Sequence, residues 1–364
     1  MKRNEKILFC ILSLLNRIVL FFPIHKNRIT FVSLESTELE SDLKQIHDQL
    51  GSAYDIKKVL IAYKKKTLIN NFKYMLNTFI QLYYINTSKV VLISDNNYVI
   101  SNFKREGVTV IQVWHAAGAI KKFGNCLERN YRIQNYDYVL ACSPYWIKPY
   151  SEAFGVREDQ VKVIGLPRID HLYDVEFKQQ AIHSLTKKYS QIINKKVILY
   201  APTFRGNIYK GFRKLDFDYE EIINQLGDDY VILYKYHPLI VDNDTFDNPN
   251  IIDVTKEELY ELFMISDMLI SDYSSIIFDY SILQKKMIFY VPDLKEYQQT
   301  VGQFVDYSTM PGAICRTRDN LVYCILNENN KKTDEFSHLY FQYCDQLNTI
   351  RITKWIDELM KEAN

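Results

Sequence analysis

From Pro23 onward the chain repeats one pattern, a short apolar run followed by a longer stretch with apolar residues at helical spacing. Residues 28–33, 57–63, 89–94, 108–114, 138–143 and 161–165 read as a first set of strands. Residues 197–200, 230–234, 250–254, 268–271 and 287–291 read as a second set. Helical stretches lie between them, including 219–226, 256–265 and 275–283, and a long polar helix is expected after Arg168 to about Asn194. Apolar strands alternating with helices belong to parallel sheets covered on both faces. Two such sets in 364 residues predict an α/β chain of two doubly wound domains facing across a cleft. The expected boundaries are an amphipathic N-terminus over 1–26, a first domain over 27–167, a second over 168–336 and a C-terminal helical segment over 337–364.

The first 26 residues depart from that pattern. Residues 7–22 are almost all apolar and follow Lys2, Arg3 and Lys6. No small-residue cleavage site follows. The run is short of the roughly 20 apolar residues a spanning helix needs, and Asn16 and Arg17 interrupt it. A helix here gathers Ile7, Ile11, Leu14, Leu15, Ile18 and Phe22 on one broad face. That suits a helix lying in a lipid headgroup region, with a core helix of the first domain as the alternative. The net charge of +1 argues against a general nucleic-acid binder. The six cysteines include no C-x-x-C pair, which argues against zinc and fits a reducing compartment.

In doubly wound sheets, ligands bind beyond the C-terminal ends of strands, and the residues with chemistry stand there. His115 follows the fourth strand in Trp114-His115-Ala116-Ala117-Gly118-Ala119-Ile120-Lys121-Lys122-Phe123-Gly124. A histidine so placed can take a proton from an attacking hydroxyl; the same position also suits a structural histidine. Arg205 ends Ala201-Pro202-Thr203-Phe204-Arg205 and offers a planar fork for phosphate or for an interdomain salt bridge. His237 precedes Pro238, which holds its backbone extended. In Ser271-Asp272-Tyr273-Ser274-Ser275, a strand runs through a polar turn into a helix. Orphan amides and two hydroxyls there suit a diphosphate, or the serines simply cap the helix. Asp279 lies one turn further and either meets a hydroxyl of a ligand or supports the turn.

Together these segments resemble the motifs of the CDP-glycerol glycerophosphotransferases, which build teichoic acids and related polymers in Gram-positive bacteria. The resemblance is carried by Trp114-His115 through Gly124, Ala201 to Arg205, His237-Pro238, Asp272 to Ser275 and Phe278-Asp279-Tyr280. Gly165-Leu166-Pro167-Arg168-Ile169-Asp170 and Tyr290-Val291-Pro292-Asp293-Leu294 match as well. It implies a GT-B-type fold of two Rossmann-like domains, with CDP-glycerol bound mainly by the C-terminal domain. The N-terminal domain would meet an acceptor on undecaprenyl diphosphate at the cytoplasmic face of the cell membrane, as a peripheral protein. The Ala116-Ala117-Gly118 version and the compact length look more like the family's primases. Those add the first glycerol phosphate to N-acetylmannosaminyl-N-acetylglucosaminyl diphosphoundecaprenol, releasing CMP.

Carried onto this sequence, the resemblance makes His115 the general base. His237 would act with it, and Arg205, His237, Ser274 and Ser275 would hold the donor diphosphate. Thr203 and Asp279 would meet the donor ribose or glycerol, and Trp114 and Lys121 the acceptor. No acidic cluster demands a metal; Asp272 is the carboxylate that would approach Mg2+, and one carboxylate makes a poor site. The expected partners are CDP-glycerol, the lipid-linked disaccharide and the membrane surface, with no nucleic acid; an oligomer is compatible with all of this. The competing readings are a chain-extending or capsule enzyme of the same family, a CDP-ribitol enzyme, a nucleotide-sugar glycosyltransferase and a non-catalytic scaffold.

Overall fold

The computed structural model describes residues 3–62, 68–207, 211–237, 240, 245–300, 302–327 and 333–362. Tyr63, at the end of the second expected strand, and Pro238, after His237, lie outside the described residues. The chain divides into two compact units. The first comprises Met1–Ala117, Phe123–Asp170 and Phe341–Asn364, and the second comprises Gly118–Lys122 and His171–Tyr340.

The first unit is built on a six-stranded sheet of β1 (His25–Ser33), β2 (Asp55–Leu60), β3 (Ser88–Ile93), β4 (Thr109–Gln112), β5 (Tyr138–Ala141) and β6 (Val161–Val163). Its order is β2-β1-β3-β4-β5-β6, and every pair is parallel. β3 is buried at all six positions because neighbouring strands flank it and helices cover it. The order reverses between β1 and β3, the kind of point where loops diverge and open a crevice.

The second unit repeats the principle. β7 (Lys196–Tyr200) is followed by a short antiparallel ribbon, β8 (Arg205–Asn207) and β9 (Gly211–Arg213). Then come β10 (Tyr230–Tyr234), β11 (Ile251–Asp253), β12 (Met268–Ser271), β13 (Lys286–Tyr290) and β14 (Ala313–Cys315). The sheet order is β11-β10-β7-β12-β13-β14, all parallel, with the reversal between β7 and β12. The ribbon and β14 are additions to the strands expected from sequence. Each is three residues long and stands in no longer apolar run.

Two expected helices are interrupted, each for a local reason. After Arg168 the chain forms Asp170–Tyr173 and then Val175–Lys188, because the Asp174 carboxylate caps the Glu176 and Phe177 amides and starts a new helix. The C-terminal stretch likewise forms two helices, Thr333–Tyr340 and Asn348–Lys361. The second of these lies in the first unit and packs on the helix Ser41–Leu50. Its N-terminus is capped from a distance. Asp170 accepts hydrogen bonds from the amides of Asn348 (2.8 Å) and Thr349 (2.9 Å), from Asn348 Nδ2 (2.9 Å) and from Thr349 Oγ1 (2.6 Å). A carboxylate there meets orphan amides and the positive helix end together. Gly165, with φ of +88°, lets the Asn348 side chain approach; a Cβ would fall 1.9 Å from Asn348 Oδ1. The segment Gly165 to Asp170 therefore fastens the end of the chain to the first unit.

The N-terminal helix Arg3–Val19 buries Leu12 and Val19 where it packs on the helix Leu68–Thr87. Asn16, which interrupts the apolar run, accepts a hydrogen bond from Asn86 at 3.3 Å. Ile11, Leu14, Ile18 and Phe22 of the expected apolar face are exposed, and Phe21 beside them is 89% exposed. Phe72, Leu76 and Ile80 form an exposed stripe at i, i+4, i+8 on the second helix. No helix among the described residues is long and apolar enough to cross a membrane.

Asp170→Ala removes four accepted hydrogen bonds at one helix end. The expected cost is about 1–3 kcal/mol. Hydrogen exchange should accelerate first in the helix Asn348–Lys361, ahead of the central strands.

Candidate active site

In the first unit, the loops after β1, β3 and β4 bring Glu35, Asp95 and His115 together, with one ligand-type atom from each within 4.8 Å of the others. Backbone geometry aims the histidine. Trp114 has φ of +63°, a left-handed conformation unusual for a bulky residue. Its amide donates to Gln112 Oε1 at 2.9 Å, and Gln112 Nε2 donates to the Asp95 carbonyl at 2.9 Å. One buried glutamine thus ties the strand end to the Asp95 loop. The Trp114 ring stacks on Phe123 with centroids 4.7 Å apart and lies 3.8 Å from the His115 ring. Arg168 donates to the His115 carbonyl at 2.7 Å while its guanidinium is paired with the buried Asp42 carboxylate.

His115 Nδ1 lies 3.2 Å from the Ser94 carbonyl oxygen. A carbonyl only accepts, so the contact fixes the proton on Nδ1 and leaves the lone pair on Nε2. The residue reaches solvent, yet protein packed around the ring pushes its pKa below the ordinary 6.5. Burial is the largest cause; Arg168 adds to it, while Asp95, the Ser94 carbonyl and Asp42 oppose it. Burial and the charge of Glu35 push the Asp95 carboxyl up to about 6, against the Leu34 amide and His115.

In the second unit, the loops at the β7/β12 reversal are locked by Arg205. Its Nη1 pairs with Asp272 at 2.7 Å and its Nε with Asp293 at 2.6 Å. The guanidinium also lies over the rings of Tyr273 (5.0 Å) and Tyr297 (5.5 Å). The Asp272 carboxylate, 1% exposed, accepts from the Thr203 amide at 2.8 Å and from Thr203 Oγ1 at 3.0 Å. The segment Gly118–Lys122 belongs to this unit, with an antiparallel bridge between Lys121 and Gln303. Lys121 Nζ lies over the Tyr297 ring at 5.1 Å. Burial and nearby Arg205 lower its pKa to about 8, with Asp272 opposing.

The residues singled out from sequence therefore fall into distinct groups. His115 is exposed at the end of its strand, as a base requires. His237 is exposed after β10, edge-on to Phe204 with centroids 4.9 Å apart. Ser274 and Ser275 are half-buried at the start of the helix Ile276–Ser281. Ser275 makes no capping hydrogen bond, and Ser274 Oγ lies 3.5 Å from the Ile276 amide, at the limit for one. Their hydroxyls are thus available to a ligand, although a six-residue helix brings only a small dipole.

Other placements run against the sequence expectation. Arg205 is paired with two carboxylates within its own unit, so its salt bridges are not the interdomain one expected, and most of its fork is engaged before any phosphate arrives. The Thr203 hydroxyl is engaged by Asp272 and Arg205 rather than turned to a ribose. Asp279 is buried on the inner side of its helix, which favours support of the turn. Trp114 is buried in an aromatic cluster, so it positions His115 instead of lining an acceptor surface. Lys121 keeps company with Arg205 and Tyr297 on the second unit.

Asp272 does not fit a divalent cation, because Thr203 and Arg205 already occupy its oxygens. Glu35, Asp95 and His115 are close enough together for one. One Asp95 oxygen is already engaged, since it accepts from the Leu34 amide at 2.8 Å. Sequence reading passed over Glu35, Asp95 and Gln112. The signal was there, since Glu35 and Asp95 each stand two residues past an apolar strand.

Comparison with known proteins bears on the family and the fold. The family model described as CDP-Glycerol:Poly(glycerophosphate) glycerophosphotransferase matches residues 14–358. A teichoic acid ribitol-phosphate primase of Bacillus spizizenii is 30% identical over 93% of this chain and 92% of its own. A teichoic acid glycerol-phosphate primase of Bacillus subtilis is 33% identical over 77% of each chain. A solved structure of a variant of the wall teichoic acid polymerase TagF, soaked with CDPG, superposes with a TM-score of 0.77 at 24% identity, covering 96% of this chain and 93% of that one. Two units with parallel sheets of this order and that likeness make the fold GT-B-type, with Rossmann-like units. With a family model matched along nearly its whole length and primases among its relatives, the chain belongs to the CDP-glycerol:poly(glycerophosphate) glycerophosphotransferase family of teichoic acid enzymes.

Proposed function

We propose that the chain primes wall teichoic acid synthesis. In this reading it transfers glycerol phosphate from CDP-glycerol to N-acetylmannosaminyl-N-acetylglucosaminyl diphosphoundecaprenol and releases CMP. The observation that carries the reading is His115, an exposed imidazole with its lone pair on Nε2 and its pKa held below 6.5. Such a group is neutral at pH 7 and ready to accept a proton.

The acceptor hydroxyl oxygen attacks the phosphorus next to glycerol. A new P–O bond forms as the bond to the bridging oxygen breaks, and CMP leaves with that electron pair. The hydroxyl proton passes to His115 Nε2. Displacement of this kind depends mainly on alignment and charge stabilisation. His237, Ser274 and Ser275 serve the donor diphosphate, and Lys121 joins them from the second unit. Arg205 acts one step back, by holding the loops after β7 and β12 in place.

The exposed apolar residues of Arg3–Val19 and Leu68–Thr87 provide a surface for the cytoplasmic face of the membrane, where a lipid-linked acceptor resides. Lys6, Arg17 and Lys73 on these helices are exposed and suit anionic headgroups. The ribitol-phosphate primase relative, matched over 93% of this chain, favours CDP-ribitol as the second donor to test.

The decisive experiment supplies the protein with the lipid-linked disaccharide and either CDP-glycerol or CDP-ribitol, then follows CMP release and product mass. One addition from CDP-glycerol is the expected result. A ladder would make the enzyme an extender, addition from CDP-ribitol alone would change the donor, and no CMP from either would overturn the reading. His115→Ala should lower kcat by about 10²–10⁴-fold with donor affinity unchanged. In the parent enzyme, kcat/KM should hold above pH 7 and fall on the acid side, with an apparent pKa below 6.5, as His115 becomes protonated. Arg205→Lys keeps one charge but loses the fork between two carboxylates; the second unit should lose about 3 kcal/mol or more, while folded protein still binds CDP-glycerol. Unchanged stability with lost donor affinity would return Arg205 to the phosphate. Leu14→Glu or Phe21→Glu should weaken binding to phosphatidylglycerol vesicles about tenfold or more and spare turnover of a short-chain acceptor.

A further inference from the structure

The loop after β1, residues 34–40, carries Glu35, Glu38 and Glu40 and no lysine or arginine. Glu40 is engaged within the loop, where it accepts from Ser36 Oγ at 2.6 Å. Glu35 is exposed, and its carboxylate clusters with a ring nitrogen of His115 and the Asp95 carboxylate, the three atoms lying within 4.8 Å of one another. The backbone here is fixed at the strand end. The Leu34 amide donates to Asp95 at 2.8 Å, and the Glu35 amide donates to Ser33 Oγ at 3.3 Å. Arg168, a cation beside His115, is paired with Asp42, its Nε 2.7 Å from that carboxylate. That pair is neutral as a whole, which leaves Glu35 and Asp95 as uncompensated negative charges beside the imidazole. With a pKa of about 6, the Asp95 carboxyl is mostly ionised at pH 7.

A hydroxyl that gives its proton to His115 Nε2 must stand within hydrogen-bond reach of the ring, so whatever flanks that hydroxyl comes against Glu35. Two kinds of acceptor end differ there. In the disaccharide the reacting hydroxyl belongs to a neutral sugar ring with further hydroxyls beside it, and the diphosphate lies at the other end. In a glycerol phosphate end the reacting hydroxyl shares its glycerol unit with a phosphodiester anion. A carboxylate accepts hydrogen bonds from sugar hydroxyls and repels a phosphodiester. We propose that Glu35 determines acceptor specificity: its carboxylate accepts from a hydroxyl beside the attacking one on a neutral sugar end, and its charge, together with that of Asp95, turns away an end that carries a phosphodiester next to the reacting hydroxyl. The inference rests on the priming reading, with His115 as the base, and deepens it. The product of one transfer ends in the very anion that this side of the site disfavours, so addition stops after one unit.

The test gives the full chain CDP-glycerol and two acceptors, the lipid-linked disaccharide and the same disaccharide already carrying one glycerol phosphate. It compares kcat/KM on each for the parent, Glu35→Gln and Glu35→Asp proteins. Glu35 is exposed, so both variants should fold. The parent should prefer the bare disaccharide. Glu35→Gln should narrow that preference about tenfold or more, losing rate on the bare acceptor and gaining it on the phosphate-bearing one, with KM for CDP-glycerol unchanged. Glu35→Asp keeps the charge and should keep most of the preference. A merely structural role would lower both acceptors together and leave their ratio alone. A ratio unmoved in Glu35→Gln, in a parent that does prefer the bare disaccharide, would overturn the proposal and leave the priming reading standing. A parent that uses both acceptors equally well would end the priming reading and this specificity together. Mg2+ binding to the parent that is lost in Glu35→Gln would also overturn the proposal, because the carboxylate would then serve a cation and its charge would be neutralised.

Discussion

Every strand in both six-stranded sheets runs parallel to its neighbours, and most of what is distinctive here follows from that. Parallel strands need crossover helices, so each sheet is covered on both faces and its loops gather at two edges. Where strand order reverses, successive crossovers pass to opposite faces and the loops part. Those parted loops carry backbone groups that have left the sheet ladder and still need partners. The sequence supplies them with buried polar side chains. Gln112 bridges the loops after β3 and β4 in the first unit, and Asp272 bridges those after β7 and β12 in the second. Both residues are essentially inaccessible to solvent, so their work is internal.

His115 shows what such bracing achieves. Its peptide is held on both sides, by the Trp114 amide on Gln112 and by its own carbonyl on Arg168. Between these anchors the chain takes a left-handed turn at Trp114 that costs on the order of 1–3 kcal/mol. The indole is large enough to offset this, since it packs against both Phe123 and Phe154. A small residue would ease the turn and lose the packing. A bulky residue in a strained conformation directly before His115 is therefore a consistent solution: the strain turns the imidazole outward, and the buried ring prevents the turn from relaxing.

The alternation of apolar runs and helical stretches made the parallel sheets and the two-unit plan legible, because both are consequences of period and length. Short elements such as β8, β9 and β14 were not, since their three residues stand in no longer apolar run. Nor were the helix breaks at Asp174 and near Asn348, which depend on carboxylates bonding amides, the latter from Asp170 far away in sequence. Site residues divide in the same way. His115 stands out because strand ends are where side chains meet ligands, and it is exposed there. Arg205 and Thr203 stand equally close to a strand end, but their partners Asp272 and Asp293 lie 67 and 88 residues away from Arg205, and only folding reveals that they are saturated. Trp114 shows the same limit, for its role depends on a backbone angle that composition does not encode.

The pairing of Arg205 with two carboxylates changes where positive charge would come from in the proposed reading, in which this unit takes a diphosphate. Arg205 stands against two carboxylates, Asp272 and Asp293, so these three side chains carry no cationic surplus without Lys121. Lys121 restores neutrality, and among the described residues its ammonium makes no carboxylate salt bridge. Burial makes that ammonium less willing to hold its proton, with a pKa of about 8. An arriving phosphate reverses the pressure, because a nearby anion favours the charged amine. The lysine is thus most firmly cationic when an anion is bound and less so when the site is empty. An arginine fixed between two carboxylates could not respond in this way. In the proposed reading the two cations divide the labour: Arg205 holds the loops, and Lys121 would answer a bound phosphate.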